Sequence, residues 1–287
     1  MDYAGRQRLG AVLCRLHGRL CGQECVGQTG EWGDAFSRRV DGLPVWFVRP
    51  SDTERPTWVL YEYGRHLGTL HARPDGDGLW HVQSAAEQCA SLDDAVRVLR
   101  RPLSWYRERE LAACWARGAL ADPALLLVDV QTAGLGAQAW AVQIAAMDCS
   151  GHVLVNELLN PKEPITAAAS SLHGITPTRV MHAATFSDLL PDLKGVLQGR
   201  RCVAYKACFD RGVLARELLR HHRCPSTARA WLEACRWEDA MRPAAVSKGL
   251  WLANRSTYRN QRLGGPYDAA AKCQALLDKL RYLASSG

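Results

Sequence analysis

The sequence predicts an α/β domain, a mixed sheet flanked by helices, preceded by a small α+β unit. Three observations carry this. From residue 124 onward, strand-length apolar runs alternate with amphipathic helical stretches. Upstream, residues 57–101 alternate apolar and polar residues and close on a single capped helix. A chain of 287 residues is also long enough to close two modest cores.

The elements follow in order. Residues 1–50 read as an early helix and then Gly-rich, loop-like sequence. Cys14, Cys21 and Cys25 gather around His17, but the second close pair of a zinc site is missing, so the 11 cysteines read as cytosolic thiols. "TWVLYEYGRHLGTLHARPDGDGLWHVQSAA" has the period of half-buried strands, with PDGDG at 74–78 as a hairpin turn. "SLDDAVRVLRRP" then starts a helix at Ser91 and Asp94, with Leu92, Ala95, Val96 and Leu99 as its apolar face and Pro102 as its stop. Arg97, Arg100 and Arg101 read as its solvated end, with nucleic-acid contact as the alternative. This unit spans 1–104. "SWYRERELAACWARGALADP" reads as a linker helix covering 105–123, and the sheet domain takes 124–287.

In the second half, "ALLLVDV" is a buried strand. "AWAVQIAAMDCSG" and "HVLVNELLNP" form a strand pair around a Cys-Ser-Gly turn. "TFSDLLPDLKGVLQG" is an amphipathic helix, "RRCVAYKACFD" a short strand and "RGVLARELLRHH" a helix. "PYDAAAKCQALLDKLRYLA" is a long terminal helix entered through glycine and proline.

Charge is uneven. Residues 1–118 carry 16 Arg against 15 carboxylates, and the remainder carries 20 basic against 14 acidic residues. A basic second half suits a polyanionic partner. No apolar stretch approaches the roughly 20 residues of a membrane span. With no secretory signal pattern at the N-terminus, a cytoplasmic location without membrane contact is expected.

"LLLVDVQTAGL", residues 125–135, delivers Asp129 at the end of a buried strand and places Gln131 two positions on. Further motifs follow in order. They are "NPKEPITAAASSLHGITPTRV", with Asn160, Pro161, Ile165, His173, Gly174, Ile175 and Thr176; "VAYKACFDRGVL", with Ala207, Phe209, Asp210 and Leu214; and "YDAAAK", with Tyr267, Ala269 and Lys272. In this order and spacing, residues 124–284 resemble the DnaQ-like (DEDDh-type) 3′–5′ exonucleases of the ribonuclease-H-like superfamily. Their corresponding motifs read D-x-E-T-T-G-L, N-P-x-x-P-I…H-G-I-T, H-N-A-x-F-D and H-x-A-x-x-D. The resemblance implies a ribonuclease-H-like mixed sheet.

In that family, four carboxylates hold two divalent ions about 4 Å apart and a histidine deprotonates the attacking water. Carried over residue by residue, the positions are Asp129, Gln131, Asp210 and Lys272, with Tyr267 at the base. Gln131 keeps an oxygen without its charge. Tyr267, with a reference pKa near 10, is a poor base at neutral pH. Lys272 puts a cation where an anionic ligand belongs. A one-residue slip to Asp268 turns the side chain by about 100° and loses the Ala269 match. Lys272 is therefore expected to stand in for the metals, within ion-pair reach of Asp129 or Asp210, and Asp268 to be free to pair with it on the same face.

The resemblance also implies groove positions at Thr132, Leu135, His173, Lys206 and Phe209. His173 reads equally well as a loop-packing residue, and Lys206 as a solvated lysine in place of the family's asparagine. Arg255, Arg259 and Arg262 interleave with Trp251 and Tyr258, which suits single-stranded nucleic acid or, equally, a surface helix with apolar anchors. The expectation is a catalytically degenerate family member that binds nucleic acid, single-stranded by preference, or a protein partner through its N-terminal unit, and holds no metal. The first alternative is an active exonuclease using Mg²⁺ or Mn²⁺. The second is a structural scaffold.

Overall fold

The computed structural model describes residues 35–50, 57–72, 79–134 and 138–286. The early helix, the cysteines around His17, the 74–78 turn and Leu135 lie outside the described residues. The chain divides into two compact units. One takes in the chain up to Trp105 together with Gly249–Arg259; the other comprises Tyr106–Lys248 and Asn260–Gly287.

The first unit is an antiparallel sheet of six strands in sequence order, β1 (Ala35–Val40), β2 (Leu43–Val48), β3 (Thr57–Glu62), β4 (Arg65–Ala72), β5 (Trp80–Val82) and β6 (Glu87–Cys89). Two-residue turns at Asp41-Gly42 and Tyr63-Gly64 join its first and second hairpins, with φ positive at all four residues. This is the turn geometry whose twist matches that of paired strands. Residues 35–48 are thus a hairpin and not loop-like sequence. Their alternation is short, but Asp-Gly between such runs marks the turn.

Helix α1 (Leu92–Leu99) covers one face of this sheet, over Val45, Phe47, Trp58, Leu60, Leu70 and Val82. The Ser91 hydroxyl accepts from the Asp94 N–H at 3.1 Å, as the capping pattern predicts. The arginines at the helix end are not solvated. Arg97 pairs with Asp41 at 2.6 Å and Asp94 at 2.7 Å, Arg100 with Glu62 at 2.5 Å, and Arg101 with Glu87. A turn of helix lying on a sheet has carboxylates from the strand ends beside it, and these take the guanidinium groups. Segment 249–259 belongs with this unit and is a short hairpin, Trp251–Leu252 against Thr257–Tyr258, and not the surface helix that was one of its two readings.

In the second unit, β7 (Leu125–Thr132), β8 (Ala141–Asp148) and β9 (Val153–Leu158) form an antiparallel meander. β10 (Arg201–Ala204) pairs parallel with β7, and β11 (Arg236–Asp239) parallel with β10. The order β11-β10-β7-β8-β9 is a mixed sheet flanked by helices, as expected. The central strand β7 is buried on both faces, which explains its unbroken apolar run. Leu126, Val128 and Val130 face one core, with α5 (Phe186–Leu197), α6 (Ala207–His222) and α7 (Pro225–Glu233). Leu125 and Leu127 face the other, with α2 (Trp105–Leu120) and α9 (Ala269–Ser285).

Helix α2 is packed rather than a bare linker, since Ala116 and Ala119 sit in that second core. The β8–β9 turn forms as expected, and the Asp148 carboxylate holds it by accepting from the Ser150 and His152 N–H groups. β10 ends at Ala204, so Ala207–Asp210 form the first turn of α6 and not a strand end. Shorter helices Ala167–His173, Pro177–Val180 and Met241–Lys248 complete the described elements. Among the described residues, no helix is long and apolar enough to cross a membrane.

Candidate functional site

The candidate site forms where β10 stops pairing with β7. Their register runs only from Leu125 to Leu127, so the β7 backbone beyond has one edge open. The first turn of α6 fills that opening. Asp210, 3% exposed, accepts from the Val130 N–H at 3.0 Å. Burial pushes its carboxyl well above the usual range, and the neighbouring Asp129 pushes it further.

Asp129 extends from the same strand, and burial raises its pKa to about 7. Two neighbours pull it back: the Gln131 amide, which donates to its Oδ2 at 2.6 Å, and the charge of Lys272. Gln131, 9% exposed, thus spends its N–H inside the site.

Lys272 is buried, but its ammonium is bonded to neither aspartate. It donates to the Gly264 carbonyl at 2.7 Å and to that of Gly265 at 3.3 Å, and it lies 4.4 Å from the centre of the Tyr267 ring. The expected ion pair is therefore corrected to a backbone cradle. Gly264 and Gly265 both have left-handed φ, +82° and +73°, a combination that glycine adopts without strain and that folds the loop back on its own lysine.

Helix α9 is capped by Asp268, whose side chain accepts from the Ala271 N–H at 2.9 Å. That leaves Tyr267 outside the helix and 44% exposed. Asp268 does not pair with Lys272 either. It accepts from Gln143 at 2.8 Å, and although burial works to raise its pKa, hydrogen bonds from Gln143 and the helix backbone hold it below the usual value.

Sequence reasoning missed Gln143. Nearly buried on β8, directly across from Gln131, it donates to Asp268 and Asn156 and accepts from the Ala269 N–H at 3.1 Å. It clamps β8 to the start of α9. The signal was available: a lone amide inside the apolar run "AWAVQIAAM" must find partners.

The remaining positions divide. His173 accepts from the Ile175 N–H at Nδ1, so its Nε2–H is the donor to the Thr132 carbonyl, 3.1 Å away. It closes a loop, as one of its two readings held. The Thr132 hydroxyl donates to the Gly134 carbonyl at 2.7 Å. Lys206 is exposed at the start of α6 with φ +74°, and its ammonium lies 5.7 Å from the Phe209 ring centre. Asparagine enters that backbone region more readily than lysine does. Arg262 is exposed in the second unit, whereas Arg255 and Arg259 belong to the first, where Arg259 pairs with Asp94 at 2.8 Å.

Residues 126–239 match the family model described as Exonuclease (RNase_T). An uncharacterized exonuclease of Escherichia phage 186 is 35% identical over 85 residues, 30% of this chain and 44% of that protein. Exodeoxyribonuclease 10 of Escherichia coli (strain K12) is 29% identical over 142 residues, 48% of this chain and 56% of that protein. The chain thus spans about half the length of these two relatives. Among solved structures, exonuclease X in complex with 5′ overhanging duplex DNA is similar at 24% identity and a TM-score of 0.36, covering 55% of this chain and 92% of that one. The sequence matches support exonuclease-superfamily membership for the second unit, at moderate identity and partial coverage.

Proposed function

We propose that the second unit is a catalytically degenerate DnaQ-like module of the DEDDh type, which binds nucleic acid, single strands in particular, without cutting it. One observation carries the reading: the positions that would complete a metal-binding carboxylate set instead hold an amide donor and a cation. Mg²⁺ and Mn²⁺ require hard, anionic oxygens. Of the four carried-over ligand positions only Asp129 and Asp210 offer them, one oxygen of each already accepts a hydrogen bond, and the charge of Lys272 is near enough to lower the Asp129 pKa; the nearby Asp268 is engaged by Gln143 and the start of α9. The residues present do not fit a two-metal site. The described groove positions left for a bound strand are Thr132, Lys206 and Phe209, with Arg262 as a further cation of the same unit.

The test is a labelled single strand incubated with the purified chain in Mg²⁺ or Mn²⁺, beside the triple variant Gln131→Glu, Tyr267→His, Lys272→Asp. The expected result is salt-dependent binding by both, and cleavage only by the triple variant, because such groups act as a unit. Robust chelator-sensitive degradation by the unaltered chain would overturn the proposal. It would favour the second reading, an active exonuclease, for which the convergence of Asp129 and Asp210 speaks. Absence of binding in both proteins would leave the scaffold reading.

A further inference from the structure

Helix α6 carries one wall of the proposed groove and grips the other. Lys206 and Phe209 stand at its head, and Thr132 lies at the end of β7, where the chain turns towards β8. Asp210 and Glu217 are seven residues apart on α6, about two turns, so both carboxylates leave the same face. Each reaches one arm of the β7–β8 hairpin. Asp210 accepts from the Val130 N–H on β7, and Glu217, 1% exposed, accepts from the Ala141 N–H at the start of β8 at 3.0 Å.

Two arginines of the same helix complete the grip. Arg216 donates to the Ala139 carbonyl at 2.8 Å. Arg220 donates to the second oxygen of Glu217 at 2.7 Å and to the Pro161 carbonyl at 2.9 Å. Its guanidinium carbon lies 4.0 Å from the centre of the Trp140 ring. The β7–β8 register shifts between Gln131 and Thr132, so the ladder alone does not fix how the two strands leave it. The α6 contacts supply that constraint, at Val130 on one arm and from Ala139 to Ala141 on the other.

Burying a carboxylate this deeply costs stability. Burial pushes the Glu217 carboxyl above its usual range, although the Ala141 N–H and Arg220 pull it back. An apolar side chain would fill the same space more cheaply. It could not hold the Ala141 N–H to a fixed point of α6, and that point sets the spacing between Thr132 and the Lys206–Phe209 turn.

We propose that Glu217 is a positioning residue for the bound strand: it fixes the two walls of the groove relative to each other and touches no nucleotide itself. This rests on the strand-binding reading given above.

The experiment uses the full chain and fluorescein-labelled oligo(dT), read by anisotropy at a temperature where a melt shows each variant folded. Glu217→Gln keeps an oxygen for the Ala141 N–H, whereas Glu217→Leu keeps the bulk and loses the acceptor. Both remove one negative charge, which by itself would tighten the binding of a polyanion. Glu217→Gln should bind at least as tightly as the unaltered chain. Glu217→Leu should bind about tenfold more weakly, the loss of one base contact, against the direction of its charge. Leu232→Ala, a core truncation in α7 outside the groove, should lower the melting temperature and leave affinity unchanged. Should Glu217→Leu fail to fold, Glu217→Asp replaces it. That variant keeps the charge, stops one methylene short of Ala141, and should also bind more weakly.

Affinity unchanged in Glu217→Leu, or in Glu217→Asp in its place, overturns the positioning role and leaves the strand-binding reading standing. Equal weakening in Glu217→Gln or in Leu232→Ala overturns it too, since the acceptor would then not be what matters. An unaltered chain that binds no strand at low salt overturns both.

Discussion

Replacing Asp129 with asparagine should make the protein more stable at pH 8, and by an amount that depends on pH. Its carboxyl stands at about 7 in the fold and about 3.9 in an unfolded chain. Between those values the native state holds a proton that the unfolded state has released. Stability from this group is therefore full below about pH 4, falls as pH rises, and reaches its minimum above about pH 7. The full span corresponds to about 4 kcal/mol as an upper limit, and local relaxation would bring it nearer 2 kcal/mol.

Asparagine keeps an oxygen for the Gln131 amide and carries no charge. Asp129→Asn should therefore match the unaltered protein near pH 4 and exceed it by about 2–4 kcal/mol at pH 8. Asp210, raised in the same direction, steepens the pH dependence of both proteins. The assay is urea denaturation across pH 4–8 with chelator present, comparing midpoints at a common slope. An asparagine variant less stable at pH 8, or a difference that does not change with pH, would refute the account of a desolvated carboxyl.

Other outcomes follow from the same contacts. Lys272→Met removes two charge-assisted bonds to the Gly264 and Gly265 carbonyls and the contact with the Tyr267 ring, and should cost about 2–4 kcal/mol; an unchanged melting temperature would show that the cradle contributes nothing. Gln143→Leu strands the Ala269 N–H and removes the side-chain donor to Asp268, so a loss of about 2–3 kcal/mol is expected in a denaturant titration, with amide exchange rising at the start of α9. Lys206→Asn relieves a left-handed backbone at an exposed position and should gain about 0.5–1 kcal/mol in the same titration; destabilisation there would mean that the lysine side chain holds the turn.

Motif spacing was enough to read the sheet domain, because β7 and the first turn of α6 carry their signals within a few residues of Asp129 and Asp210. What escaped was tertiary. The ammonium of Lys272 had two aspartates to choose from in sequence, yet a pair of left-handed glycines seven and eight residues upstream offers carbonyls instead. Nothing in local pattern says which acceptor is nearer. Arg97 and Arg100 looked solvated for the same reason: their carboxylates, Asp41 and Glu62, come from strand ends 56 and 38 residues away. The Asp41-Gly42 hairpin is a different kind of miss, since its turn signal was present and the flanking alternation was short.

The two aspartates carry unequal weight. Asp210 answers the Val130 N–H at the point where β10 has left β7, and without it a buried donor would be orphaned, at a cost of about 1–3 kcal/mol. Its presence is therefore explained by the fold, whether or not the site ever met a metal. Asp129 has no such task. Among the described residues its one hydrogen-bond donor is Gln131, a side chain on the same strand, and at neutral pH its burial costs stability. A group that the fold would be more stable without, set between Gln131 and the field of Lys272, is the residue through which any surviving function of this site must be tested. For the same reason the carboxylate of Asp210, by itself, argues neither for nor against catalysis.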